Sequence, residues 1–335
     1  MIDRPWVFMC AGGESIGSLI KTIQKNNPQK PIYGMDANIN INSMHKKLFN
    51  KFFIIPMPHE DKFFPNLITI LKKIGPCLLI PGSDEEALVL SKYKNILDKK
   101  NILCNVMPNK IISKIINKYD LSKNITNLNS DFITDLEMIN NNAGFKKACI
   151  DMGYPNEKLI LKPIIGRGRR STFIISEAPF ENKIKDIVPT INLDVAIKNK
   201  LIKNDTMMLM RYIEGEAITV DVLANQGKII KTVIRKWNEK WRSPFPGQKI
   251  ILNRNIDELI KTIIKIIPLH GLVDIDIIKT KDGRVKFLEV NPRPSGSVAV
   301  SEIAGIPIFS ILEKILEGKD IDKINFKNDK IINEI

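Results

Sequence analysis

Residues 285–297 read VKFLEVNPRPSGS. Val285, Phe287 and Leu288 make its first half an interior strand, bounded by turn residues. A strand built only for packing has no use for a carboxylate, an amide and a guanidinium at its mouth, yet this one ends in Glu289, Asn291 and Arg293. From these residues alone two readings stand: an exit into a polar loop, or a sheet that presents ligands.

One step upstream, GLVDIDIIKTKDGRVKFLEVN (271–291) contains Asp282-Gly283, the strongest short hairpin signal in the chain. A two-residue turn there pairs Asp276 with Glu289 and Asp274 with Asn291. Side chains two apart share a face, so all four groups fall on one side of a two-stranded ribbon, with cross-strand Cβ atoms about 5 Å apart. Val273, Ile275, Ile277, Leu288 and Val290 fall on the other, packed side. Crowded carboxylates repel unless a cation joins them, and magnesium is typically held by one or two carboxylates plus substrate phosphates. The rival reading, an ordinary exposed hairpin face, fits the same spacing.

A second stretch, LKPIIGRGRRSTF (161–173), sets Lys162 at a strand end, followed by Gly166, Arg167, Gly168, Arg169 and Arg170 in a connector. Glycines let backbone amides approach an anion, and the arginines add charge. This is no Walker loop, because G-x-x-x-x-G-K-[ST] is absent. Together with the carboxylate hairpin, a phosphate cover explains it better than a flexible basic tip.

The first 110 residues alternate strand and helix: WVFMCAG, a GGESIG turn, KPIYGMD, and PCLLIPGSDEEAL with a helix from Asp84. That is the pattern of a parallel open sheet, with ligands expected at the carboxyl ends of its strands. Gly12, Gly13 and the Asp84–Glu86 turn are nominated there. The glycines run G-G-x-x-x-G, not G-x-G-x-x-G, so a packing turn explains them at least as well as a dinucleotide site. Beyond about Asn117 the chain turns to antiparallel hairpins, including EAITVDVLA and KIIKTVIR joined through NQG. The expected fold is mixed α/β and α+β, in at least two domains with a boundary between 108 and 120.

The chain has 335 residues with 51 basic against 37 acidic side chains, a net charge of +14. The lysines are interspersed with Ile and Asn, which reads as solvated faces and not as a focused nucleic-acid patch. No segment has the roughly 18–20 apolar residues of a membrane helix, and no secretion signal is read at the N-terminus. The four cysteines stand far apart, as reduced thiols of a cytoplasmic protein would. Three scattered histidines cannot form a nitrogen-rich zinc site.

Lys162-Pro163 with its Gly/Arg loop, then MRYIEGEAITVDVL, then DID…FLEVNPRPSG, in that order, resembles the ATP-grasp superfamily, most closely stand-alone proteins similar to the carbamoyl-phosphate synthase large subunit. The N-terminal part, 1–115, resembles the Rossmann-like pre-ATP-grasp domain, and the resemblance implies an ATP-grasp small lobe with the phosphate-covering loop over 116–207 and a C-terminal lobe with the metal-binding hairpin over 208–335. The resemblance implies a ligase that uses ATP and two Mg2+ ions, with Mn2+ as a substitute, to activate a carboxylate as an acyl phosphate and join it to an amine; related proteins often dimerise. It implies that Lys162 contacts the α/β-phosphates and that the 166–171 loop, including Gly166, Arg167, Gly168 and Arg169, closes over the β/γ-phosphates. Met210, Arg211, Tyr212 and Ile213 would form the hinge whose backbone meets adenine. Asp276, Glu289 and Asn291 would hold the magnesium ions bridging the phosphates, and Arg293 would stabilise charge on the transferring phosphoryl group or on the acyl phosphate. Arg235, following a strand as an arginine does in related proteins, would face the phosphates or the acid. Ala217 replaces the usual ribose-binding Glu, leaving Glu216, one residue early, as a candidate. Ser171 stands where glycine is usual, and Asp274 where Asn is frequent.

The irregular RKWNEKWRSPFPG (235–247) has the texture of a specificity loop, and its Trp237 and Trp241 fit packing against the lobe as well as substrate contact. Rival classes are a carbamoyl-phosphate-type activation of bicarbonate, a nicotinamide-dependent oxidoreductase, and a basic nucleic-acid-binding module. The wrong glycine spacing opposes the second, and the absence of a stacking pattern the third. No G-x-S-x-G or Cys–His pairing points to an acyl-enzyme.

Overall fold

A computed structural model describes residues 4–13, 16–166, 171–177, 188–202, 206–237 and 248–319. Its strands form three five-stranded sheets. The first is wholly parallel, in the order β3-β2-β1-β4-β5. Its strands are β1 (Trp6–Phe8), β2 (Ile32–Asp36), β3 (Lys51–Ile54), β4 (Leu78–Ile80) and β5 (Leu103–Cys104). Sequence reading missed β3, a short edge strand whose KFFI run is only partly buried. The order reverses beside β1, so the crevice between the ends of β1 and β4 is the place such a sheet offers a ligand.

The second sheet has the order β6-β10-β7-β8-β9. It comprises β6 (Leu136–Ile139), β7 (Leu159–Pro163), β8 (Phe173–Ile175), β9 (Thr190–Ile191) and β10 (Met207–Arg211). The third, wholly antiparallel, has the order β13-β12-β11-β14-β15. It comprises β11 (Gly215–Asn225), β12 (Lys228–Trp237), β13 (Gln248–Ile251), β14 (Gly271–Thr280) and β15 (Val285–Asn291). Because β10 pairs with β6 and β7, the chain crosses between these sheets at residues 212–214.

Apolar faces fix the arrangement. Ile275, Ile277, Val285, Phe287 and Val290 of the third sheet share a core with Ile256, Leu259, Ile260 and Ile263 of the helix Arg254–Ile266. The late helix Ile308–Leu316 returns to the first sheet, where Phe309 lies 6.0 Å from Trp6 and 5.2 Å from Phe8, ring to ring. The first sheet and the third are thus welded by buried apolar surface, the dominant favourable term in folding.

The decisive hairpin departs from expectation twice. Thr280 donates its amide to Arg284 (2.9 Å) and Gly283 to Thr280 (2.9 Å), so the loop is Lys281–Gly283, one residue longer than a 282–283 turn. Gly283 takes φ +85°, the left-handed position such a loop requires. Pairing therefore begins one residue off, with Lys279 opposite Val285 and Ile277 opposite Phe287. A β-bulge at Leu288 then restores the register, placing Asp276 opposite Glu289 and Asp274 opposite Asn291. Strict alternation would have put Glu289 on the face of Val285 and Phe287, inside the core. The extra residue turns Glu289 outward. Leu288, expected on the packed face, is half-buried and outside the core cluster.

Candidate active site

β14 and β15 bring four polar groups onto one face. Asn291 donates both amide hydrogens, to Asp274 Oδ2 at 3.0 Å and Asp276 Oδ2 at 3.1 Å. That orientation leaves the Asn291 carbonyl oxygen as its open donor atom. Thr219 of β11 donates to Asp276 Oδ1 (3.2 Å). Asp274 is 3% exposed, and its Oδ1 is buried with no hydrogen-bond partner. Burial, then the neighbouring Asp276, drive its carboxyl well above the usual carboxylate range. Asp276 is pushed the same way by burial and by Glu289. A buried carboxylate oxygen lacking a donor costs free energy that a cation would recover. Among the described residues no three His, Cys, Asp or Glu side chains form a metal site by themselves. A magnesium ion that completes its shell with phosphate oxygens and water needs no more than two, and the residues present fit that ion.

Cations oppose this face. Lys118, at the start of the helix Lys118–Leu128, lies 3.4 Å from Glu289 Oε2 and donates to the Gly166 carbonyl, at the base of the expected lid. Its amide also binds the Ile164 carbonyl (3.0 Å). Sequence reading missed Lys118; its signal was a lysine just after the cap residue Asn117, far from every motif. Lys162, at the end of β7, is held below the usual ammonium range by burial, with Lys118 adding to the effect and Glu289 and Asp276 opposing it. Arg167, Gly168 and Arg169 lie outside the described residues. Ser171, beyond them, adopts φ +53°, a left-handed conformation that glycine takes without strain.

Arg293 stands where the first and third sheets meet. Its Nε lies 3.1 Å from Asp84 Oδ1, and its Nη1 lies 3.6 Å from Asp274 Oδ2. Burial opposes its charge, but Asp84, Asp274, Asp276 and Glu289 more than compensate. Asp84 opens the helix Asp84–Lys92 at the end of β4, and a capping box fixes that turn. Glu86 accepts from the amides of Gly82 (2.8 Å) and Ser83 (3.2 Å) and from the Cys10 thiol (3.3 Å). Burial, and next the charge of Glu86, push the Cys10 thiol far above its usual range, so it makes a poor nucleophile.

Two expected site residues lie elsewhere. Arg235 is 0% exposed, and both its Nη groups are bound by protein. It binds Asp221 Oδ1 (2.6 Å), Ser295 Oγ (2.8 Å), the Ser297 carbonyl (2.8 Å) and Gln248 Oε1 (2.8 Å). It seats the loop after Arg293 and does not face a ligand. Glu216 points away from the metal face, bonded to Lys236 (3.1 Å) on the side of Ile218. In the hinge, Met210 is buried, and Arg211 pairs with Asp135 (2.7 Å). The amides of Arg211 and Tyr212 bind the carbonyls of Asp135 (3.2 Å) and Lys158 (2.9 Å). Ile213 keeps the hinge amide without a backbone bond among the described residues. Trp241 lies outside the described residues.

The N-terminal glycine turn is a packing device. The Gly12 amide, which a pyrophosphate would need, donates to Asp36 Oδ2 (2.7 Å), and a Cβ at Gly12 would come within 2.5 Å of Ile41. All four cysteines are free. No helix among the described residues is long and apolar enough to cross a membrane.

Residues 203–335 match a family model described as ATP-grasp in the biosynthetic pathway with Ter operon. A search of curated proteins gives no match. Among solved structures the chain is similar to a biotin carboxylase from Campylobacter jejuni in a β,γ-ATP complex. That match has TM-score 0.64 and 17% identity, covering 95% of this chain and 72% of that one. The biotin carboxylase domain of Hydrogenobacter thermophilus 2-oxoglutarate carboxylase, complexed with MgADP, ADP and bicarbonate, matches at TM-score 0.64 and 16% identity (94% and 70% covered). An L-amino acid ligase from Bacillus licheniformis matches at TM-score 0.63 and 12% identity (94% and 74% covered). The chain therefore shares the fold of these structures, and its residues 203–335 match the ATP-grasp family model.

Proposed function

We propose that this protein is an ATP- and magnesium-dependent ligase that joins a small carboxylic acid to an amine, releasing ADP and phosphate. The observation that carries this reading is the face built by Asp276, Glu289 and Asn291, with the orphaned Asp274 oxygen beside it and Lys118 and Lys162 opposite. Asp276, Glu289 and the Asn291 carbonyl would hold magnesium; when bound, the ion supplies charge neutralisation at the phosphate oxygens. Lys162 and Lys118 bind and orient the phosphates, while the hinge through Ile213 receives adenine. The half-buried Leu288 and Ile278 offer it apolar surface.

The acid's carboxylate oxygen attacks the γ-phosphorus and the bond to the β-phosphate oxygen breaks, giving an acyl phosphate and ADP. The amine then attacks the acyl carbon and expels phosphate. Such transfer needs positioning and charge compensation more than a protein nucleophile, which matches a cleft of cations and carboxylates with an inert Cys10. Arg293 compensates charge on the transferred group. Bicarbonate is the simplest acid such a cleft could take, which links this reading to the carbamoyl-phosphate synthase resemblance.

The test is a screen of acids and amines for ADP release that requires both, with Glu289→Gln as control. ADP release with bicarbonate alone would assign a carbamoyl-phosphate-type activation, and release indifferent to Glu289→Gln would reject the site.

A further inference from the structure

We propose that Asp84, from the N-terminal sheet, is a positioning residue for Arg293, and that this contact ties the crevice at the ends of β1 and β4 to phosphoryl transfer. The inference rests on the ligase reading above. Arg293 is gripped from two sheets: Asp84 holds its Nε edge at 3.1 Å, and Asp274 stands 3.6 Å from Nη1. An arginine presents five N–H groups in a rigid plane. Fixing the Nε edge therefore fixes where the remaining Nη hydrogens point.

Both sides of the contact are built to stay in place. On the Asp84 side, Ser83 and Glu86 close a capping box, and Glu86 also binds the Cys10 thiol at the end of the β1 strand region (3.3 Å). The position of Asp84 is thus set by the same turns that shape the crevice. On the Arg293 side, Ser295 and Ser297 are held by the buried Arg235, and Ser301 donates to Asp221 (2.6 Å). Two rigid loops from different sheets meet through one ion pair. Asp84 Oδ1 is buried and has no aligned hydrogen bond, so the contact orients by charge. A purely structural bridge could have been placed on the apolar weld between these sheets; this one ends on the arginine of the reacting cleft.

The experiment titrates Mg-ADP into the native chain, Asp84→Asn, Asp84→Glu and Glu289→Gln by calorimetry, with and without aluminium fluoride as a mimic of the transferring phosphoryl group. In the native chain aluminium fluoride should tighten Mg-ADP binding by at least about a hundred-fold, as transition-state mimics do. Asp84→Asn should bind Mg-ADP as the native chain does yet lose roughly ten- to hundred-fold of that gain, the cost of misplacing a positioned group by about 1 Å. Asp84→Glu, which keeps the carboxylate, should recover part of it even if Asp84→Asn folds poorly. An unchanged gain in Asp84→Asn, or an equal loss of Mg-ADP affinity itself, would overturn the inference. So would a native chain that binds Mg-ADP without any gain, while the ligase reading survives. A native chain that binds no Mg-ADP overturns both.

Discussion

Asp221 and Asp274 face each other across β11 and β14, are 0% and 3% exposed, and could hardly be treated more differently. Asp221 Oδ1 receives Arg235 and Ser295, and its Oδ2 receives Ser301. Asp274 receives one amide hydrogen, leaves Oδ1 unpartnered, and stands beside a second carboxylate. Burial alone does not distinguish structure from site. In this pair the surroundings do: Asp221 is closed by three protein donors, whereas Asp274 keeps an open oxygen with a second carboxylate at its side.

The comparison breaks first if the closed cluster is not structural. Asp221→Asn should cost about 3–5 kcal/mol of unfolding free energy, because it strands a buried guanidinium; denaturant melts check this. The open face should behave oppositely. Glu289→Gln should lower magnesium-dependent nucleotide affinity about 10- to 100-fold while changing the unfolding free energy by no more than about 1 kcal/mol, since relief of the repulsion with Asp276 is offset by the lost pair with Lys118.

A third outcome concerns two buried acids that serve packing. Burial raises Glu86 and Glu302 from 4.5 to about 7. A raised carboxyl favours the protonated fold, so its contribution is fully present below about 4.5 and is lost as pH rises through about 7. Unfolding free energy measured from pH 5 to pH 8 should fall, and the double variant Glu86→Gln with Glu302→Gln should flatten that fall. Smallest is Ser171→Gly, which should add about 0.5–1 kcal/mol by relieving a left-handed φ, partly offset by the glycine's own entropy.

Some of this was legible in the sequence for a physical reason. Alternation and the Asp-Gly turn placed Asp274, Asp276, Glu289 and Asn291 together, because residues near one turn are brought together by local geometry. Their register came from two displacements that cancel, a longer loop and the Leu288 bulge, and neither leaves a signature that period-two reading detects. Lys118 and the Asp84–Arg293 contact join residues far apart in the chain, where no local pattern carries the information. Arg235 and Glu216 misled for another reason: spacing says which strand carries a residue, but not which neighbouring loop covers it. The strand β3 escaped because an edge strand buries little, and so lacks a strong apolar run.

The central claim is that the carboxylate face of β14 and β15 is completed by a divalent ion carrying a nucleotide. Calorimetric titration of ATP into the native chain, with magnesium and again with a chelator, tests it most directly. Binding that appears only with magnesium and collapses in Glu289→Gln is the expected result; heat that is absent, or indifferent to both the metal and Glu289, would contradict it.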